Sequence, residues 1–114
     1  LVKGDARLEA NRCRVNGSLK NSLWVIDNGS AVLKECELVG GGPTYPAVIA
    51  NGKAHISLHG GRIVDTQSNG IWIRGESVCE VVGLAISGTS GAAVESEDSA
   101  EVKLTDCTLH GGDK

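Results

Sequence analysis

The chain has 114 residues and a formal net charge of −3, which is enough for one small domain. Hydrophobic residues make up 40%, too many for a disordered segment, and no apolar run reaches the roughly 18 residues that span a membrane. The 11 basic residues are scattered and outnumbered by 14 acidic ones, so the charge pattern of a nucleic-acid-binding surface is absent. We therefore expect neither a nucleic acid nor a membrane as partner.

The aromatic content is low, with two Trp, one Tyr and no Phe. A globular core of this size normally uses several large rings. A core of Val, Ile, Leu, Ala and Cys indicates narrow, uniform layers instead. The 16 glycines against two prolines indicate many turns.

One apolar pattern occurs five times along the chain. In chain order the units have position zero at Ala6, Gly29, Ala54, Ser77 and Ala100, with spacings of 23, 25, 23 and 23 residues. Small or aliphatic side chains recur two, four, seven and nine positions after zero, and the seventh position is cysteine in three units. We call each set of equivalent positions a column. Columns of similar residues at constant spacing across five units indicate an internal repeat.

Within each unit the apolar positions alternate at period two, which predicts strands. A second short apolar run precedes zero in the later units, with its first inward position at Leu23, Val48, Ile71 and Val94. Two positions before zero stand only Gly or Asp, namely Gly4, Asp27, Gly52, Gly75 and Asp98. Both residue types tolerate left-handed backbone, so this column predicts a corner. Each unit should hold three short strands and no helix.

A unit of about 23 residues cannot bury its own apolar face, whereas a stack of units can. Each strand would pair in parallel with the same strand of the next coil, about 4.8 Å away. The alternative, a β-sandwich of hairpins, needs frequent two-residue turns and pairing between unlike strands, which a constant register does not require. The sequence therefore predicts an all-β parallel solenoid of about five coils.

The units SAVLKECELVGG, KAHISLHGGRIVD, SVCEVVGLAISG and SAEVKLTDCTLHGG resemble the right-handed parallel β-helix superfamily of pectate-lyase-like and CASH-type repeats. The resemblance covers essentially the whole chain and implies one β-helix domain over residues 1–114. That superfamily includes polysaccharide lyases and hydrolases, epimerases, adhesins and non-catalytic recognition domains. The resemblance therefore implies a fold without choosing an activity.

Both ends of the chain fall inside a coil. Leu1 and Val2 align with Trp24 and Val25 of the next unit, and Lys114 precedes the point where another strand would begin. Solenoids need polar caps, and the sequence offers none. We expect the chain to be a piece of a longer protein, and the alternative is a module that stacks end to end on other copies.

The four cysteines fall in two inward columns. Cys13, Cys36 and Cys107 share the column seven positions after zero, and Cys79 lies in the column at two. Cys13 and Cys36 are on adjacent coils and could form a disulfide, but Cys107 has no partner in reach. We expect four buried reduced thiols and hence a cytoplasmic location, with secretion as the alternative. No C-x-x-C motif or Cys/His pair has the ligand spacing of a zinc site, so no metal is predicted, and no other cofactor is predicted either.

Catalytic chemistry would require carboxylates that recur from coil to coil. The resemblance implies acidic Ca²⁺ ligands on one strand face for the lyases and clustered carboxylates for the glycosidases. Here the acidic residues of one corner are Glu95, Glu97 and Asp98, and the preceding coil has Trp72, Arg74 and Gly75 at the same positions. The histidines His55, His59 and His110 fall in three different columns. We therefore predict no catalytic residues and a protein that is not an enzyme.

Charges alternate in the outward column eight positions after zero. Its first three members are Arg14, Glu37 and Arg62. Opposite charges on adjacent rungs favour this register, so a structural role is predicted for them.

The column five positions before zero contains Leu1, Trp24, Ile49, Trp72 and Glu95. Its neighbours at six and four positions before zero are apolar and should point inward, so this column should point outward. The small residues at seven positions before zero, Ser22, Ala47, Gly70 and Ala93, predict a shallow trough beside it. Exposed apolar stripes mark contact surfaces, unless another segment of the parent protein covers them.

The predicted binding residues are Trp24, Ile49, Trp72, Arg74 and Glu95. Trp is favoured both at protein-interface hot spots and for stacking on sugars. The first functional hypothesis is a non-catalytic β-helix module that binds a protein partner or another part of the parent chain. The alternative is a carbohydrate-binding or carbohydrate-active fragment that uses the same face or the corner at Glu95–Asp98.

Overall fold

The computed structural model describes residues 4–16, 23–39, 47–64, 70–89 and 93–109. Their strands are β1 (Arg7–Asn11), β2 (Arg14–Asn16), β3 (Leu23–Val25), β4 (Ser30–Val39), β5 (Val48–Ala50), β6 (His55–Val64), β7 (Ile71–Ile73), β8 (Val78–Val82), β9 (Ala85–Ile86), β10 (Val94–Ser96), β11 (Glu101–Thr105) and β12 (Thr108–Leu109). Within those ranges there is no helix long and apolar enough to cross a membrane.

The strands form two sheets in which every pairing is parallel. The first sheet has four strands in the order β3-β5-β7-β10. The second has eight, with β1-β4-β6-β8-β11 as its main path and with β2, β9 and β12 beside β4, β6 and one another. Neighbouring strands in both sheets come from successive repeats, so the described chain is the parallel β-solenoid that the repeat predicts.

The pairing register equals the sequence repeat. Arg7 pairs with Ser30 and Val78 with Glu101, 23 residues apart, whereas Leu23 pairs with Val48, 25 residues apart across the one longer unit. Five rungs stack along the second sheet, and the chain passes through about four turns in joining them. The expectation of five coils is therefore one too many, because five stacked rungs enclose four intervals.

The three strand segments predicted for each coil are partly fused. In the second and third rungs the last two of these segments run on as the ten-residue strands β4 and β6, whereas in the first, fourth and fifth rungs they are separate strands. A residue with left-handed backbone bends the chain between the two segments. This second corner has φ between 52° and 69° at Arg12, Glu35, Gly60, Gly83 and Asp106. The corner predicted two positions before zero is also present, with positive φ at Gly4, Asp27, Gly52, Gly75 and Asp98.

The core consists of side-chain columns that run along the solenoid axis. Each column is buried in the middle coils, as in Ala31–Ile56–Cys79, Leu33–Leu58–Val81, Leu38–Ile63–Ile86, Leu23–Val48–Ile71 and Val25–Ala50–Ile73, all 4% exposed or less. The end members of three of these columns are not buried. Leu8, Leu104 and Leu109 are 37%, 41% and 39% exposed because they lie in the first and last of the described rungs.

A matched pair of leucines tests this arrangement. Leu58 and Leu104 occupy the same column, but Leu58 is 2% exposed and Leu104 is 41% exposed. Leu58→Ala should lower the free energy of unfolding by about 2–5 kcal/mol, because it leaves a cavity between two rungs. Leu104→Ala should cost about 1 kcal/mol or less, since much of its surface is already in water. Urea denaturation of dilute protein measures both, and equal losses would contradict the stacking.

Candidate functional site

The column with the two tryptophans lies on the outer surface of the first sheet. Trp24 pairs with Ile49, Ile49 with Trp72, and Trp72 with Glu95 on successive strands. Trp24 is 41% exposed, Ile49 and Trp72 are half-buried, and Glu95 is exposed. We call these four residues, together with Arg74, the tryptophan face. Leu1, the first member of the column by sequence, lies outside the described residues.

The small residues beside this column do not form the predicted trough. Ala47, Gly70 and Ala93 are buried and belong to the interior. A Cβ on Gly70 would lie 2.6 Å from the carbonyl oxygen of Ala93 and 2.8 Å from a methyl group of Ile86. These residues are small because the chain passes close to the core there, so the expectation of a trough is wrong. Ser22 lies outside the described residues.

Trp72 is held in place by two charged side chains. Its indole Nε1 donates a hydrogen bond to Oε2 of Glu97 in the next coil. The Arg74 guanidinium lies over the same ring, 5.0 Å from its centroid, within the range of a cation–π contact. The Arg74 Nε is 3.4 Å from the same Glu97 oxygen but is not aligned for a hydrogen bond. The three side chains form one cluster that fixes the ring on the surface.

Trp24 borders a shallow depression of about 330 Å³. Its other lining residues are Ile26, Asp27, Asn51 and Gly52. Asp27 Oδ2 accepts a hydrogen bond from the Gly4 amide at 3.1 Å, and Asn51 Oδ1 accepts one from the Gly52 amide at 2.8 Å. The backbone amide of Asn51 donates a hydrogen bond to the Val25 carbonyl oxygen at 3.0 Å. An exposed ring therefore lies beside a carboxylate and a carboxamide side chain.

The acidic corner is tied into the structure. Glu97 contacts Trp72 and Arg74, and Asp98 Oδ2 accepts a hydrogen bond from the Gly75 amide at 3.2 Å. Within the described ranges there is no group of three or more His, Cys, Asp or Glu side chains placed to hold a metal ion.

The histidines do not converge in the part of the chain that the structure describes. His55 and His59 both lie on β6, and His59 Nε2 is 4.0 Å from Glu80 Oε1. His110 lies outside the described residues.

A second surface feature follows the second corner and was not found from the sequence. It is an open groove of about 690 Å³ lined by Asn11, Arg12, Lys34, Glu35, His59, Gly60, Val82 and Gly83. Arg12 and Glu35 face each other across adjacent coils at 3.4 Å. The column at this corner contains Arg, Glu, Gly and Asp, so no shared residue type marks it in the sequence.

The predicted charge ladder is present. Glu37 lies between Arg14 and Arg62 in adjacent rungs, with 2.9 Å from Arg14 Nε to Glu37 Oε1 and with Arg62 paired to the other carboxylate oxygen. The arginines are mostly exposed, so each pair contributes little to stability. The ladder supports the register and carries no further chemistry.

All four cysteines are thiols, and only two of them are buried. Cys36 and Cys79 lie in the core, whereas Cys13 is exposed and Cys107 half-buried because both belong to end rungs. Burial raises the pKa of the Cys79 thiol from 9.0 to about 12, and the nearby Cys107 thiolate adds to the shift. The expectation that all four thiols are buried is therefore wrong for Cys13 and Cys107.

The repeat, the parallel register and the stacked columns agree with a comparison against family models. The model described as a right-handed β-helix region matches residues 1–114. The chain belongs to the right-handed β-helix family. The handedness of the β-helix follows from that membership, since the path from strand to parallel strand is right-handed throughout the family. No curated protein and no solved structure matches this β-helix chain.

Thiol reactivity tests the placement of the cysteines. We expect four thiols in the denatured, unreduced protein and a clear order of alkylation in the native protein at pH 8. Cys13 should react first because it is exposed, and Cys79 last because it is buried and protonated there. Mass spectrometry after timed alkylation measures the order, and Cys13→Ser should remove the fast phase. Two thiols instead of four would indicate a Cys13–Cys36 disulfide.

Proposed function

We propose that this β-helix is a non-catalytic module that binds a protein partner through the tryptophan face. The observation that carries the proposal is the line of Trp24, Ile49 and Trp72 on the outer surface of three successive strands. Sheet positions that face water are usually polar, so an apolar line at this place needs another explanation. Coverage by a partner or by another part of the parent chain provides one.

The composition of the tryptophan face supports a protein partner. Trp and Arg are the residues most enriched at interface hot spots, and Trp72 and Arg74 are in contact here. The Trp72 ring is already ordered by Glu97, so binding would lose little side-chain entropy. The two tryptophans are two rungs apart, about 10 Å, which matches the width of one helix or of two strands.

The state of the acidic corner supports a non-catalytic role. Acid and base catalysis on a glycosidic bond needs two carboxyl groups that face a common substrate position. Glu97 and Asp98 are engaged by Trp72, Arg74 and a backbone amide. Their contacts hold neighbouring coils together, which favours a structural use of this corner.

Carbohydrate binding is the second candidate, and the depression beside Trp24 favours it. A Trp ring can stack on the apolar face of a sugar while amide and carboxylate groups bind hydroxyls. Asp27 and Asn51 are placed beside the ring in this way. This candidate uses one end of the tryptophan face, whereas the protein-binding hypothesis uses its whole length.

We also propose a reducing compartment, the cytoplasm, as the location. Cys36 and Cys79 fill core positions as small apolar side chains, a use that does not depend on oxidation. A secreted protein remains the alternative, and it would agree with the carbohydrate candidate.

Truncation of Trp24 provides the cleaner of the two tryptophan tests. Trp24 is 41% exposed, and its ring makes no hydrogen bond within the described part of the chain, whereas Trp72→Ala would also remove the contacts to Arg74 and Glu97. Trp24→Ala should leave the melting temperature nearly unchanged and weaken partner binding by about 1–3 kcal/mol. Val82→Ala, on the other sheet, is the control and should change neither quantity. Titration of the variants against a partner identified by cross-linking in extracts of the source cells measures the effect.

Two outcomes would contradict the protein-binding proposal. A loss of several kcal/mol of folding stability in Trp24→Ala would show that the ring belongs to the core and would remove the proposed face. Glycan-array binding that Trp24→Ala abolishes, with no protein partner recovered, would favour the carbohydrate candidate. Quenching of tryptophan fluorescence by acrylamide gives a first measure of how exposed the rings are, because Trp24 and Trp72 are the only tryptophans in the chain.

A further inference from the structure

Asn followed by Gly is a sequence in which a chain can modify itself. Glycine has no Cβ, so its amide nitrogen can reach the side-chain carbon of a preceding Asn, which is a thermolabile residue type. The chain has four such pairs, at residues 16–17, 28–29, 51–52 and 69–70. Gly17 and Asn69 lie outside the described residues, so the structure allows a comparison of the pairs at 28–29 and 51–52.

The pair Asn51–Gly52 lies at the corner two positions before zero, and both residues are exposed. The Gly52 amide donates a hydrogen bond to Oδ1 of Asn51 at 2.8 Å. Oδ1 is bonded to Cγ, the carbon that the nitrogen would attack. The corner therefore holds the nitrogen and the carbon near the separation of about 3–3.5 Å from which such groups react.

The equivalent amides of two other rungs are held by the rung that follows. The Gly4 amide donates to Oδ2 of Asp27 at 3.1 Å, and the Gly75 amide donates to Oδ2 of Asp98 at 3.2 Å. Gly52 is followed in its column by Gly75, which has no side chain to accept a hydrogen bond. Among the described residues, the acceptor of the Gly52 amide is therefore the side chain that precedes it.

The pair Asn28–Gly29 has the same sequence in different surroundings. The Gly29 amide donates a hydrogen bond to the carbonyl oxygen of Ile26 at 3.0 Å, and Gly29 is buried. An attack by this nitrogen would first break that bond, which raises the barrier. The fold therefore protects this pair and leaves the pair at 51–52 open.

We propose that Asn51 is a site of spontaneous covalent modification in the folded protein. The Gly52 nitrogen bonds to Cγ of Asn51, the Cγ–Nδ2 bond breaks, and ammonia leaves with the proton that the Gly52 nitrogen loses. One water molecule then opens the resulting five-membered succinimide at either of its carbonyl groups and gives aspartate or isoaspartate. No electrons are transferred to or from another molecule. This inference does not rest on the proposed function.

The modification changes the charge beside the tryptophan face. Asn51 and Asp27 both line the depression that Trp24 borders. A neutral carboxamide becomes a carboxylate, so the depression of the modified chain has two negative charges in place of one.

The isoaspartyl product also has one more carbon in its main chain between positions 51 and 52. This corner is held to both neighbouring rungs by backbone hydrogen bonds. The Lys53 amide donates to the Asp27 carbonyl oxygen at 2.8 Å, and the Glu76 amide donates to the Gly52 carbonyl oxygen at 2.7 Å. A longer main chain displaces these partners, so we expect the isoaspartyl form to be less stable than the aspartyl form.

Peptide mapping measures the reaction at each pair separately. Trypsin places the four pairs on different peptides, namely residues 15–20, 21–34, 35–53 and 63–74. After timed incubation of the folded, reduced chain at pH 8, we expect conversion of Asn51 to be about tenfold faster than that of Asn28, because the Gly29 hydrogen bond opposes the second reaction. Mass spectrometry detects the change from amide to acid, fragment ions locate it, and a zero-time digest corrects for conversion during digestion.

The chain unfolded in guanidinium chloride is the control for this comparison. Without the fold, Asn28 and Asn51 should convert at similar rates. Equal rates in the folded chain, or conversion of Asn51 only after unfolding, would overturn the proposal. Aspartate without isoaspartate at position 51 would also overturn it, since direct hydrolysis of the side chain bypasses the succinimide.

A substitution in the next rung tests the role of the Gly52 amide. Gly75→Asp should slow conversion of Asn51 by about tenfold, because its carboxylate can accept the Gly52 amide as Asp27 accepts that of Gly4. Gly75→Ala is the matched control, with the same Cβ and no carboxylate, and should slow the reaction less. A Cβ at this position would lie 2.9 Å from the Gly52 nitrogen, so circular dichroism and a melting curve are recorded for both variants. A folded Gly75→Asp variant that converts as fast as the wild type would contradict the proposal, and the peptide map of the wild type tests it whether or not the variants fold.

Discussion

The parallel backbone ladder between equivalent residues of successive repeats is the interaction on which the rest of the structure depends. Each rung donates and accepts hydrogen bonds with the rung one repeat away, as in Ser30 N to Ala6 O and His55 N to Gly29 O. This register places equivalent side chains above one another, so each side chain of a column must pack against the equivalent side chains of the rungs on either side. Side chains of medium size and branched shape meet that requirement, and a change in one column member is felt by the rungs on both sides.

The self-packing requirement also explains where the large rings lie. The interior distance between the two sheets suits Leu, Ile, Val and Cys, and the repeat leaves no interior slot of greater size. Both tryptophans are accordingly on the outer surface of the first sheet, where Trp72 needs Arg74 and Glu97 to order it. The same fold that excludes rings from the core therefore places them on the surface. Trp72 lies on β7, which is paired on both sides, whereas Trp24 lies on β3, which pairs with β5 at the edge of the described sheet.

Much of the fold was predictable from the sequence because equivalent positions of the repeat are the ones that pair between strands. A column of Gly and Asp identified the first corner correctly, since those residues tolerate left-handed backbone at low cost. Three corners per unit were expected, but the position of the second escaped prediction because Arg12 and Glu35 adopt left-handed backbone there, which single-residue preferences do not favour. The groove beside that corner was missed for the same reason. The prediction of a trough was wrong because small residues such as Gly70 indicated an outer hollow, whereas the close approach of Gly70 to Ala93 and Ile86 is what requires its size.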